Sequence, residues 1–133
     1  MSATIRRGLP SDLDVLEALY PAAFPEEDLL PLVRELVTDR ERVTSLVATR
    51  GSDLVGHLAL TACALAETRE PLTLLGPLAV APTHQRTGLG TALIRAALAR
   101  LEGDRTRAVL VLGDPAYYGR FDFTAEPTIA PPY

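Results

Sequence analysis

The apolar positions of this chain change period along its length, and each change marks an element. "ATIRRG" (3–8) alternates briefly and stops at Gly8, a short first strand. In "PSDLDVLEALY" (10–20), Leu13, Leu16 and Leu19 fall on one helical face. Ser11 is the expected N-cap there, with Asp14 three residues later completing a capping box. "FPEED" (24–28) interrupts. A second helix is predicted from near Asp28, with Pro31 tolerable only in its first turn and Leu29, Val33, Leu36 and Val37 as its stripe. Acidic residues at its start suit the helix dipole.

"RVTSLVATR" and "LVGHLALTA" flank Gly51-Ser52-Asp53 and read as a hairpin. Gly56 within it signals a bulge or a close backbone approach. "ETREP" (67–71) connects to "LTLLGPLAV" (72–80). That strand carries Gly76-Pro77 in its middle, and a proline inside a strand requires an edge or a bulge. From Gly88 to Glu102 the period is helical, with Leu89, Leu93, Ile94, Ala97, Leu98 and Leu101 on one face and Gly103 after the end. "RAVLVLG" (107–113) is wholly apolar and is expected to be a central strand. Asp114 and Pro115 open a short helix as N-cap and first residue. "FTAEPTIAPPY" (123–133) begins extended and ends proline-rich. The predicted order is β-α-α-β-β-β-α-β-α-β. It has no repeat and no linker, which gives one α/β (α+β) domain over residues 1–133 with a mixed sheet.

Composition narrows the function. With 47% hydrophobic and 23% charged residues in 133, the chain can build a core and is not of disordered type. Its net charge of −4 argues against a nucleic-acid partner. All thirteen basic residues are Arg, so Schiff-base and P-loop lysine chemistry are excluded. Cys63 is the single cysteine, read as a small buried hydrophobe; no intrachain disulfide can form, which suits a reducing compartment. "MSATIRRGLPSD" lacks a signal-peptide core, and the longest charge-free run, Pro71–Gln85, is too short to span a bilayer. The expectation is a cytoplasmic protein with no membrane partner. His57, His84 and Cys63 form no recognisable metal constellation, so no metal is expected.

The joint "AVAPTHQRTGLGTALI" (79–94) carries the strongest chemical signal. A strand stops at a proline, a loop with Gly88 and Gly90 follows, and a helix starts inside it. The first turn of a helix leaves N–H groups without partners, and with the dipole these suit an anion. Glycines allow close approach of a ligand, and Arg86 adds positive charge. The same glycines also fit a plain tight turn. Walker A fails for want of lysine. The dinucleotide fingerprint fails because residue 93 is Leu and no acidic residue closes the next strand, which ends at Gly113.

"LGPLAVAPTHQRTGLGTALI" resembles the acetyl-coenzyme A motif of the GNAT N-acetyltransferases, Gln/Arg-x-x-Gly-x-Gly/Ala, at Gln85, Gly88 and Gly90. "VLGDPAYYGRFDF" resembles the strand–helix–Tyr-x-x-x-Gly-Phe segment that follows in that family, with the nearest likeness to its YhbS-like branch. The predicted element order is the family's order, so the resemblance covers most of the chain. It implies the GNAT fold, a mixed, mostly antiparallel sheet with helices on both faces. It implies direct acetyl transfer from acetyl-CoA, as cosubstrate, to an amine acceptor.

Residue by residue, the resemblance implies that Leu78, Ala79 and Val80 bind the pantetheine arm through their backbone. It gives the Gly76-Pro77 bulge a reason, since a bulge and splay open the slot for that arm. Gln85, Arg86, Thr87, Gly88, Leu89, Gly90 and Thr91 would form the pyrophosphate cradle. Tyr118, four residues before Asp122, would protonate or hydrogen-bond the leaving thiolate, a sensible role for a phenol. Tyr117 is its neighbour one step around the helix. Asp122 stands where the family has the glycine of Gly-Phe. No general base is legible: Glu67 and Glu70 read as solvated loop charges, His57 as a satisfied sheet residue, His84 as exposed. The acidic residues of "YPAAFPEED" are expected to border the acceptor cleft and suit a cationic amine, although a solvated helix start explains them equally. The family's members continue past this segment with another strand or two. "EPTIAPPY" is shorter, which implies a truncated form or a closing strand from a partner, such as a homodimer mate.

Overall fold

The computed structural model describes residues 3–102, 106 and 108–111. Along the chain run β1 (Thr4–Arg7), α1 (Leu13–Ala23), α2 (Leu30–Thr38), β2 (Val43–Arg50), β3 (Asp53–Ala64), β4 (Pro71–Val80), α3 (Leu89–Leu101) and β5 (Ala108–Val111). The strands lie in the order β1-β2-β3-β4-β5. The first three pairings are antiparallel, and β4–β5 is parallel. This is the mixed sheet expected.

Helices cover both faces. Leu58 and Leu60 of β3 point with Leu46, Ala48 and Leu75 into one core, closed by Leu89, Leu93, Ile94 and Ala97 of α3. Residues of opposite parity face α1 and α2: Ala79 packs with Leu16, Leu19, Tyr20, Val33 and Val37, and Ala59 with Leu36 and Val43. Thus β3 is buried on both faces from Val55 to Thr61.

Both glycine signals of the strands take shape. The pairing with β2 slips between Ala48 and Thr49, which leaves Val55 of β3 as the extra residue beside Gly56. A Cβ on Gly56 would meet Leu93 Cδ1 at 3.0 Å and Ala79 O at 3.4 Å, so α3 and β4 both press on this backbone. Between β3 and β4, Leu58 pairs Leu78 while Leu60 pairs Leu75. Two steps on β3 span three on β4, which puts the bulge at Gly76-Pro77. Gly76 has φ +128°, a conformation that favours glycine.

Two local expectations change. Ser11 is not the N-cap: Pro10–Asp12 form a 3-10 turn, and α1 starts at Leu13. Asp12 does the local work instead. Its carboxylate accepts the Leu9 N–H at 2.7 Å and both Arg6 terminal nitrogens at 3.0 Å, tying β1 to the start of α1. Those partners hold its pKa below the ordinary value, with the Arg6 hydrogen bond the main cause. The hairpin turn is Gly51-Ser52, since Asp53 already pairs with Arg50. Among the described residues β5 is the last strand of the sheet. The predicted helix at Asp114 and the closing strand lie outside the described residues.

Candidate functional site

Between the end of β4 and the start of α3 lies an open cleft of about 550 Å³, within the usual range for ligand sites. Leu78, Val80, Gln85, Arg86, Gly88, Gly90 and Thr91 line it, with Ala23 and Phe24 from the end of α1. One wall is therefore the strand just past the bulge, and the other is a helix N-terminus.

The strand wall offers backbone. The described pairing of β5 with β4 covers Leu72–Leu75 and none of Gly76–Val80. On that side, Leu78–Val80 meet no strand among the described residues. The helix wall offers donors. The first bond inside α3 runs from Ala92 N to Gly88 O at 2.9 Å. The amides of Leu89, Gly90 and Thr91 precede it and have no carbonyl within the helix.

The loop sequence builds this wall. Gly88, the N-cap, sits at φ +89°, and Arg86 at φ +63°. Gln85 Nε2 donates to the Val80 carbonyl at 3.1 Å, and Thr87 Oγ1 donates to the His84 carbonyl. Both side chains pin the loop to the strand end. No carboxylate stands in the first turn of α3 to oppose an anion, and Arg86 is exposed at its mouth.

The remaining candidates divide clearly. Ala79 and Leu89 send their side chains into the cores, so any ligand contact from them is through backbone. Glu67 and Glu70 are exposed in the β3–β4 connection and absent from the cleft lining. His84 is half-buried, against Thr83 Oγ1 at 2.9 Å. Cys63 is half-buried, and burial raises its thiol pKa, which disfavours the nucleophilic thiolate. Tyr117, Tyr118 and Asp122 lie outside the described residues. No group of three or more metal-ligating side chains occurs among the described residues, nor any helix long and apolar enough to cross a membrane.

Sequence reasoning missed two features. The first is Phe24, a cleft wall; its one signal was an aromatic residue at the break before Pro25. The second is a buried polar chain. His57 is 1% exposed, with Nδ1 2.7 Å from Tyr20 Oη and Nε2 3.2 Å from Ser45 Oγ. Tyr20 Oη also reaches the Pro77 carbonyl, at 3.5 Å. Burial pushes the His57 pKa down to about 4, with Asp12 pulling weakly the other way. Spacing places His57 in a strand, but nothing local pairs it with a residue thirty-seven positions earlier.

The chain belongs to the acetyltransferase (GNAT) family, whose pattern matches residues 13–123. It is 31% identical to the uncharacterized N-acetyltransferase YhbS of Escherichia coli K12 over 120 residues, 90% of this chain and 72% of that one. The crystal structure of a GNAT family acetyltransferase from Brucella melitensis in complex with acetyl-CoA matches with a TM-score of 0.83 and 30% identity, covering 93% of this chain and 84% of that one. The Escherichia coli YhbS structure in complex with CoA matches with a TM-score of 0.82 and 31% identity, over 92% of this chain and 68% of that one.

Proposed function

We propose that this chain, as one domain over residues 1–133, is an acetyl-CoA-dependent N-acetyltransferase acting on an amine. The observation that carries the reading is the cleft itself, which joins a bulged strand, whose Leu78–Val80 edge meets no strand among the described residues, to a helix start bare of acidic side chains. An anionic diphosphate suits the amides of Leu89–Thr91 and the Arg86 charge. An extended amide-bearing arm suits the backbone of Leu78–Val80, as a further strand would. The bound thioester supplies an activated acetyl group; everything else falls to the protein and the amine.

The attacking amine must be neutral. A base or a water chain takes the amine proton; the described part of the cleft lining holds no carboxylate and no imidazole. Backbone N–H groups near the bulge polarise the thioester oxygen. Tyr118 donates to the departing thiolate. Relatives that carry the name N-acetyltransferase, and one crystallised with acetyl-CoA, support this reading.

The test is calorimetric titration with acetyl-CoA, followed by acetylation of a panel of small amines and amine-bearing peptides. Saturable binding together with turnover on at least one amine is expected. Binding without turnover on any amine would leave an acyl-CoA-binding module instead, and no binding at millimolar ligand would overturn both.

A further inference from the structure

The buried chain from Ser45 to the bulge has no part in the chemistry just described, yet four elements converge on it. Ser45 comes from β2, His57 from β3, Tyr20 from α1 and Pro77 from β4. Tyr20 and His57 are each 1% exposed. Packing alone does not explain them, since an apolar side chain would fill the same space without losing hydration.

A neutral imidazole has one donor and one acceptor, and the Pro77 carbonyl only accepts. One assignment makes all three contacts hydrogen bonds. Ser45 O–H donates to Nε2, Nδ1–H donates to Tyr20 Oη, and Tyr20 O–H donates to Pro77 O. The chain thus ends on the bulge, at the residue just before Leu78, where the strand wall of the cleft begins. Its other arm ends on the part of the lining that comes from the end of α1, because the Tyr20 ring stacks on Phe24 with centroids 6.1 Å apart and planes 22° apart. Phe24 lines the cleft.

We propose that Tyr20 and His57 form a hydrogen-bonded strut that sets the β4 bulge and the Phe24 wall relative to each other, making both of them positioning residues for acetyl transfer. The proposal rests on the acetyltransferase reading above. Neither residue is among the described lining of the cleft. Their effect is on the bulge backbone, which must meet the thioester oxygen at hydrogen-bonding distance. Loss of the strut therefore lowers kcat and leaves the grip on the diphosphate, at the far end of the cleft, in place.

Three variants separate this from a structural role. Tyr20→Phe keeps the ring and its stacking on Phe24 but removes the hydroxyl. His57→Asn keeps an N–H donor near the Nδ1 position, facing Tyr20. His57→Gln instead extends its amide toward the Ser45 side. Both His57 variants lose the ring, so a purely structural role moves them alike. The expected result is a roughly tenfold fall in kcat for Tyr20→Phe and His57→Gln, less than outright removal of a transition-state donor would cost. The KM for acetyl-CoA should stay close to wild type, and His57→Asn should recover most of the loss. Equal kcat in Tyr20→Phe and wild type, or equal losses in His57→Asn and His57→Gln, would overturn the strut.

Binding provides a readout that does not depend on turnover. In wild type, calorimetry should show acetyl-CoA preferred over CoA, because only the former presents an oxygen to the bulge. Tyr20→Phe should lose that preference while binding CoA as before. If wild type binds both ligands but acetylates no amine, the enzyme reading fails, and this ratio alone decides the strut: an unchanged ratio overturns it. A wild-type chain that binds neither ligand sinks both.

Discussion

His57 ionises near pH 6.5 in water but only at about 4 in the folded chain, where burial disfavours its charge. Between those values the unfolded chain binds the proton and the folded chain does not. This group's contribution is therefore intact above the unfolded pKa and shrinks as pH falls toward the folded one, a loss on the order of 3 kcal/mol. Asp12 acts lower down. Its pKa is depressed, so its contribution is lost only as pH falls below the ordinary value of 3.8. Melting temperature measured across the His57 window should fall more steeply for wild type than for His57→Asn; parallel curves would show that the buried imidazole is not the cause. Gly88 makes a second prediction at this scale. No described residue lies within 4 Å of a Cβ built there, and its φ of +89° opposes a side chain. Gly88→Ala should cost about 1–2 kcal/mol in urea unfolding, and Gly88→Asn less, because asparagine tolerates the left-handed region better. Equal loss in the two would point to a contact rather than the dihedral. Gly88 was legible from its place before an apolar-periodic run. The His57–Tyr20 pair was not, because it forms across the sheet face between distant segments.

At the scale of elements, α3 can be stabilised and disabled by one change. Gly90 lies in its first turn, where Leu89, Gly90 and Thr91 have amides without helical partners. An aspartate there replaces a poor helix former and complements the dipole, gains of about 0.3–1 kcal/mol each. The same carboxylate would occupy the proposed diphosphate site and repel an anion there. Gly90→Asp should therefore melt at or above the wild-type temperature without ligand and show no calorimetric heat with CoA. A variant that still binds CoA would place the diphosphate elsewhere. The pattern of apolar positions read β2, β3, β4 and α3 well because the strands are apolar runs bounded by turn residues and α3 has one dominant face. It placed Ser11 at the helix start because Ser-x-x-Asp fits a capping box; Asp12 instead takes both the Leu9 amide and the Arg6 guanidinium, a tertiary ion pair that outweighs a local cap. The bulge was legible as Gly-Pro in an apolar run, whereas its one-residue offset against β3 needed the partner strand.

For the molecule as a whole, the site exists only because three layers meet. The sheet supplies an edge past Leu75, α3 supplies donors from one face, and α1 supplies Phe24 from the other. Sequence motifs marked the first two, which are contiguous at residues 76–91. The third is some fifty residues away in sequence, joined only by folding. A ligand that bridges these layers binds the folded state and not the unfolded chain, so it must stabilise the whole. Acetyl-CoA at about a hundredfold above its Kd should contribute about 2.7 kcal/mol, on the order of 10 °C in Tm for a chain this long. The shift should grow with the logarithm of ligand concentration. A shift that saturates early at a degree or two would mean that the unfolded chain binds as well, or that the layers do not close on one ligand. Phe24→Ala separates the layers further. It leaves the strand edge and the α3 amides intact, so a diphosphate fragment such as ADP should keep its affinity while acetyl-CoA loses roughly tenfold, the order expected for one buried aromatic contact. Unchanged affinity for both ligands would mean that α1 is no part of the site and that the cleft is a two-layer one, and equal losses would place Phe24 against the diphosphate instead.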